Sequence, residues 1–273
     1  AASDVYKRQG IKGAAIATVI SQCLSAGFVL YFLMKKAEIR VRLLQHKELP
    51  GSWQYAKNIV SLGTSGFVMQ LTNSLVSICC NNVLAHTGGD LYVSVMTIIS
   101  SVRQMVETPI LAITEGSSPI ISYNYGARRP DRVIRAAMTM GIMALVYSVL
   151  MWGLILTKPR FLIHIFSSDQ ELWKYAVPAM KLYFAAFIFM LLQYTGQTIF
   201  KSLNKKKQAI FFSLLRKVII VVPLTYLLPY TFHLGTNGVF LAEPVSNVIG
   251  GTLCFVVMLA TILPELRQMK EQG

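Results

Sequence analysis

Charge is scarce in this chain, and acidic charge scarcest of all. Only 14% of the 273 residues are Asp, Glu, Lys or Arg, and the 12 acids face 26 bases. A soluble globular domain carries about 25% charged residues. At the lower density a water-soluble fold would lack polar surface, which argues against a soluble enzyme or a soluble nucleic-acid-binding domain. Cysteine and histidine number four each and do not cluster. Cys23, Cys79, Cys80 and Cys254 lie inside apolar stretches, with no CxxC pair and no His at ligand spacing. That pattern speaks against a disulfide framework and against a zinc site, and for buried apolar thiols. HExxH and GxxxxGK[ST] are both missing, so neither metalloprotease chemistry nor direct use of ATP is indicated. No catalytic residue, metal or cofactor is expected, and no signal peptide is read at the N-terminus.

What is abundant is apolar sequence: 54% of the residues are hydrophobic, and the mean hydropathy is +0.52. A hydrocarbon core of about 30 Å needs roughly 20 apolar helical residues to cross it. Seven segments are that long: Ile11–Met34, Ile59–Ala85, Leu91–Tyr123, Ala136–Thr157, Val177–Phe200, Ala209–Tyr230 and Gly238–Leu263. The excess of base, a formal net charge of +14, gathers between these runs and not along one face. Lys35, Lys36, Arg40, Arg42, Lys47 and Lys57 fall in the first connection. Arg128, Arg129, Arg132 and Arg135 follow the third span, and Lys201, Lys205, Lys206, Lys207, Arg216 and Lys217 follow the fifth. The alternate connections hold only Lys158, Arg160 and Lys174. Cytoplasmic loops carry the excess of Lys and Arg, so the basic loops and the C-terminus are expected in the cytoplasm of a bacterial plasma membrane.

The domain reading follows. Residues 1–9 (AASDVYKRQ) form a polar stub that looks non-native, and residues 10–34 form one helix standing apart from the rest. Residues 35–58 read as a cytoplasmic linker whose Ala37–Trp53 part suits a helix on the membrane surface. Residues 59–266 form a six-helix lobe, and residues 267–273 a cytoplasmic tail. The openings Gly10-Ile-Lys-Gly13-Ala-Ala-Ile-Ala17-Thr-Val-Ile-Ser21 and Gly235-Thr-Asn-Gly238-Val-Phe-Leu-Ala242-Glu-Pro-Val-Ser246 share two glycines, an Ala and a Ser, 225 residues apart. That separation is about one six-helix lobe, and repeated lobes around a central substrate site are a common transporter plan. The first helix is then the last helix of an N-terminal lobe.

Several stretches, in order, resemble the MATE (multidrug and toxic compound extrusion) family. Pro119-Ile-Ile-Ser-Tyr-Asn-Tyr-Gly-Ala-Arg-Arg-Pro-Asp-Arg-Val133 is similar to its PxxxYNYGAxxxxRV pattern. Gly196–Gln208, followed by Ser213–Arg216 and Pro223–Pro229, is similar to its loop and penultimate helix. The openings at Gly10 and Gly235 resemble its sixth and twelfth helices. The resemblance implies an all-α integral membrane fold of twelve helices, of which about seven are present: the last of one lobe and the six of the other. It implies antiport of organic, often cationic, drugs or metabolites against Na⁺ or H⁺. Its partners would be a small organic molecule, the bilayer and the missing N-terminal lobe, with no nucleic acid. Where many members carry a Glu in the seventh helix, this chain has Asn73, and the usual Pro near Thr64–Ser65 is absent. The alternative is a lipid-linked-oligosaccharide flippase of the same superfamily, disfavoured because only Arg103 and Lys181 bring positive charge into the spans.

Charged side chains at membrane depth are expensive and are candidate functional residues. Four qualify: Arg103, Glu107 and Glu115 on the third span and Glu243 on the last. Arg103 and Glu107 share a helix face at i, i+4, as an ion pair or as a cavity wall, and Glu115 is placed on roughly the same face. Gln70, Asn73, Gln193 and Gln197 complete the substrate- or ion-cavity candidates, with interhelical hydrogen bonding as the alternative for each.

Overall fold

The computed structural model describes residues 10–36 and 49–271, and the described part is all-helical. The stub at 1–9, most of the surface helix expected at Ala37–Trp53, and the last two residues of the tail lie outside it. The chain divides into two units, Ala1–Ile59 and Val60–Gly273.

The first unit contributes α1 (Gly10–Tyr31), which widens into a π-helical turn over Phe32–Lys36. Ile16, Val19, Ile20, Leu24 and Phe28 are all exposed on it, and so is Cys23, a departure from the expected buried thiol. A helix that exposes this many large apolar side chains suits lipid, not water.

The helical stretch Leu49–Gly126, α2, contains the unit boundary. Its two arms meet at Gly89, where φ is 69° and ψ −171°. A side chain is barred from that backbone, so Gly punctuates the hairpin there. The second arm ends in a turn with Arg128 at φ 53°. Then come α3 (Pro130–Thr157), the short α4 (Pro159–Phe166), α5 (Gln170–Tyr183) and α6 (Phe187–Ser202). Proline begins α3 and α4, where its missing N–H has no intrahelical partner to lose. Asp169 caps α5 by accepting from the Glu171 backbone N–H at 2.9 Å. α7 runs Lys206–Thr231 and α8 Thr236–Glu271.

The expected spans are refined in three ways. α1, α3, α7 and α8 are each long and apolar enough to cross a membrane. The fifth span is two helices, α5 and α6, bent by 50°. At the bend the Phe184 carbonyl accepts from the Phe187 backbone N–H at 3.1 Å and from the Trp152 indole N–H of α3 at 3.0 Å. The two arms of α2 run as helix through the expected second and third spans, and their polar residues line one wall of a cavity. The connection expected at Lys158–Lys174 holds α4, with Leu162 and Ile163 buried and Phe161, Ile165 and Phe166 outward.

Two apolar cores fill the second unit. One packs Val83, Leu84, Ile99, Ile110, Met180, Phe184, Phe187 and Phe240. The other packs Ile121, Val133, Met140, Phe200, Phe212, Met258 and Ile262. Along α7 and α8 a polar belt separates them. Phe212 lies in one core and Val221 in the other, with Arg216 and Lys217 between; Phe240 and Cys254 likewise flank Glu243. Outside, Ile142, Val146, Val149 and Leu150 of α3 and Ile249, Leu253 and Val256 of α8 are exposed. An apolar surface this continuous is tolerated against lipid, not water.

Candidate functional site

The backbone of α7 and α8 is irregular where the charges sit. π-Helical turns cover Leu215–Val221 and Asn247–Gly251. Pro223 follows the first and Pro244 precedes the second. Proline has no N–H to close an i→i−4 bond, and a neighbouring wide turn is one way a helix absorbs the loss. The first wide turn carries Arg216 and Lys217, the second Asn247. Gly250 lets them meet: a Cβ there would lie 2.8 Å from Arg216 Cγ.

The ions form one connected cluster. Arg103 Nε donates to Glu107, its Nη1 donates to the Tyr183 hydroxyl at 2.5 Å, and its Nη2 lies 3.0 Å from Glu243 Oε1. The Tyr194 hydroxyl donates to Glu107 Oε2 at 3.1 Å. Arg216 Nη1 is 3.2 Å from the same Glu243 oxygen and also donates to Asn247 Oδ1. Lys217 Nζ reaches that oxygen at 3.4 Å. Glu243, Arg216 and Lys217 are 4%, 4% and 6% exposed. Lys217 is 11 residues inside the start of α7 and 14 from its end, so at about 1.5 Å per residue it lies near mid-membrane. Ions so buried cost several kcal/mol each unless paired. Here one carboxylate oxygen serves three cations and ties α2, α7 and α8 together, while the two tyrosines bring in α5 and α6.

Beside the cluster is a cavity of about 310 Å³ lined by Asn73, Ser77, Met96, Ser100, Arg103, Gln104, Glu107, Tyr183, Tyr194, Lys217 and Glu243, among others. Of the residues singled out from sequence, Arg103, Glu107, Glu243 and Asn73 converge on it. Arg103 and Glu107 are thus both an ion pair and a cavity wall. Four others lie elsewhere. Glu115 is exposed and paired with Lys201 at 2.8 Å; eight helical residues beyond Glu107 amount to about 12 Å and about 80° of rotation, too much to share a face. Gln70 is exposed. Gln193 is buried and donates to the Phe212 carbonyl at 3.2 Å, and Gln197 is buried on α6 away from the lining.

The sequence groups Arg216 and Lys217 with the basic loop after the fifth span, but the structure places them elsewhere. They lie inside α7, and the cation expected within a span at Lys181 is exposed instead. A signal existed. The apolar segment Ala209–Tyr230 already enclosed both residues, so charge in an uninterrupted span outweighed their grouping with the preceding lysines. Tyr183 was missed because an aromatic at the end of an apolar run carries no polar signature.

Away from this cavity, Tyr125 at the end of α2 donates to Glu265, which also pairs with Lys205. Hydrogen bonding to that carboxylate, with partial burial, pushes the Tyr125 phenol up to about 12. This cluster ties three helix ends together.

A model of the MatE family matches residues 66–227, more than half of the chain. The chain belongs to the MatE family. Members of this family are transporters and not enzymes. The chain is 22% identical over 259 residues to the multidrug export protein MepA of Staphylococcus aureus, covering 92% of this chain and 53% of that protein. It is 24% identical over 167 residues to the probable multidrug resistance protein NorM of Thermotoga maritima, covering 61% of this chain and 35% of that one. A multidrug resistance MATE family transporter solved in an outward-facing conformation superposes with a TM-score of 0.81 at 18% identity, covering 95% of this chain and 57% of that one. The chain therefore spans about half the length of relatives it matches nearly end to end.

Proposed function

We propose that this chain supplies one lobe of a secondary active exporter of small organic molecules, driven by Na⁺ or H⁺ and embedded in a bacterial plasma membrane with its basic loops and C-terminus on the cytoplasmic side. The observation that carries the reading is the ionic cluster beside a cavity at membrane depth in a MatE-family fold. Ionisable groups facing a cavity inside spans mark substrate or ion paths. Relatives named for multidrug export and resistance support a drug-like substrate over a lipid-linked sugar. A second lobe, in keeping with relatives about twice as long, would close the open side of the cavity and rock against this one.

With Arg216 and Lys217 inside α7, fourteen basic residues remain on the side assigned to the cytoplasm against three opposite, a bias that favours the same orientation. The test is efflux of one cationic and one anionic fluorescent probe, ethidium and carboxyfluorescein, from a drug-sensitive bacterial host expressing the whole open reading frame. Efflux that stops when the Na⁺ gradient or the proton gradient is removed establishes coupled export and names the ion. Absence of gradient-driven efflux for every probe, with membrane insertion confirmed, would refute the proposal.

A further inference from the structure

We infer that the cavity of this lobe receives an organic anion (a carboxylate, phosphate or sulfonate on a small apolar body), with its charge seated at Lys217. The inference rests on the export reading and adds the charge class of the substrate.

The charges of the cluster beside the cavity do not balance. Three cations, Arg103, Arg216 and Lys217, share two carboxylates, Glu107 and Glu243. Arg103 is fully engaged by Glu107, Tyr183 and Glu243. Arg216 stands behind the cavity wall, held by Glu243 and Asn247. Lys217 is different on both counts. It lines the cavity, and its contact with Glu243 is the longest of the three, at 3.4 Å. Of the two cations that face the open space, Arg103 and Lys217, Lys217 is the one held by a single long contact. In a low-dielectric setting a buried charge that shares its counter-ion with two others is penalised, so a counter-charge entering there is favoured and a further cation is opposed. Among the described residues, both acidic side chains of the wall, Glu107 and Glu243, are already committed to the cluster. Asn73, Ser77 and Ser100 add neutral polar groups, while Met96, Val221 and Val239 supply apolar contact. The volume, about 310 Å³, suits an aryl or short-chain anion, at the lower end of small-ligand pockets.

The test uses the full-length transporter in phosphatidylcholine proteoliposomes with an imposed ion gradient. Two matched, permanently charged probes are followed: radiolabelled p-toluenesulfonate and phenyltrimethylammonium. Gradient-driven transport of the sulfonate, at least tenfold above the ammonium ion, is expected. Lys217→Met should abolish that preference and Lys217→Arg restore it. Because Lys217→Met leaves two cations on two carboxylates, it should not lower the melting temperature, whereas a lysine with a structural role only would lower it. Replacing phosphatidylcholine by phosphatidylglycerol separates two sources of the anion: loss of sulfonate transport assigns the site to a lipid headgroup, and no change assigns it to a free solute. Transport of the ammonium ion alone, or sulfonate transport indifferent to Lys217→Met, overturns the anion assignment and leaves export standing. Transport of neither these probes nor ethidium refutes the export reading and the inference with it.

Discussion

Glu243 is the residue whose loss the structure penalises most clearly. Its Oε1 is the shared acceptor of Arg103, Arg216 and Lys217 at 3.0, 3.2 and 3.4 Å. Glu243→Gln keeps the volume and an amide oxygen but removes the charge, leaving three cations with Glu107 alone. Breaking a buried ion pair from one side costs about 3–5 kcal/mol. In a chain of this size about 1 kcal/mol moves Tm by about 2–4 °C, so a fall of about 6–20 °C is expected. The assay is thermal unfolding of the purified protein in detergent, followed by tryptophan fluorescence. The companion variant sharpens it. Adding Lys217→Met to Glu243→Gln removes one of the stranded cations and should recover part of the loss, a coupling that independent sites would not show. A Tm for Glu243→Gln within about 2 °C of wild type would mean that the cluster is water-screened like a surface pair, and would refute the reasoning.

Gly251→Ala should fail for a packing reason, since its Cβ would sit 2.4 Å from the Phe189 carbonyl oxygen. Overpacking against rigid backbone costs about 1–3 kcal/mol, and the same melting assay reads it. Trp152→Phe removes one of two donors to the Phe184 carbonyl at the α5–α6 bend and leaves the Phe187 backbone N–H in place; the expected loss is about 0.5–1.5 kcal/mol, and an unchanged Tm would show that the bend does not depend on this bond. Tyr125 is held up from its ordinary value of 10 to about 12 by Glu265. Its contribution is therefore complete below pH 10 and lost between pH 10 and about 12. Tyr125→Phe should remove that alkaline component of Tm and leave the profile below pH 9 parallel to wild type.

The positions of most helices were legible because lipid imposes a coarse code: apolar runs of spanning length, interrupted by bases on one side. The code failed where a helix serves two solvents. The α2 arms carry Asn73, Ser77, Ser100, Arg103 and Glu107 toward a cavity, so one face of each arm is polar although each keeps the length of a span. It failed again at Arg216 and Lys217, where adjacency to Lys205, Lys206 and Lys207 suggested a loop. The half of the site that was legible, Arg103, Glu107 and Glu243, consists of charges isolated in apolar sequence. Glu115 satisfied the same criterion, but helical rotation and rise carry it to a different place on the same arm. Which isolated charges meet is a question of crossing helices, and a single chain pattern does not encode it.

The coincidence of wide turns, prolines and buried ions in α7 and α8 has a common cause. Non-ideal backbone at membrane depth is tolerated only where protein or water, not lipid, receives the freed polar groups. Buried charges obey the same restriction. A stretch of helix that faces the interior can therefore carry both, and each makes room for the other. The wide turn at Leu215–Val221 places consecutive basic residues, Arg216 and Lys217, where both reach Glu243, although neighbours in a regular α-helix point about 100° apart. Gly250 removes the side chain that would block Arg216 from across the interface. Irregular backbone thus supplies the geometry by which one carboxylate gathers three cations, and it leaves Lys217, the least tightly held of them, facing the cavity.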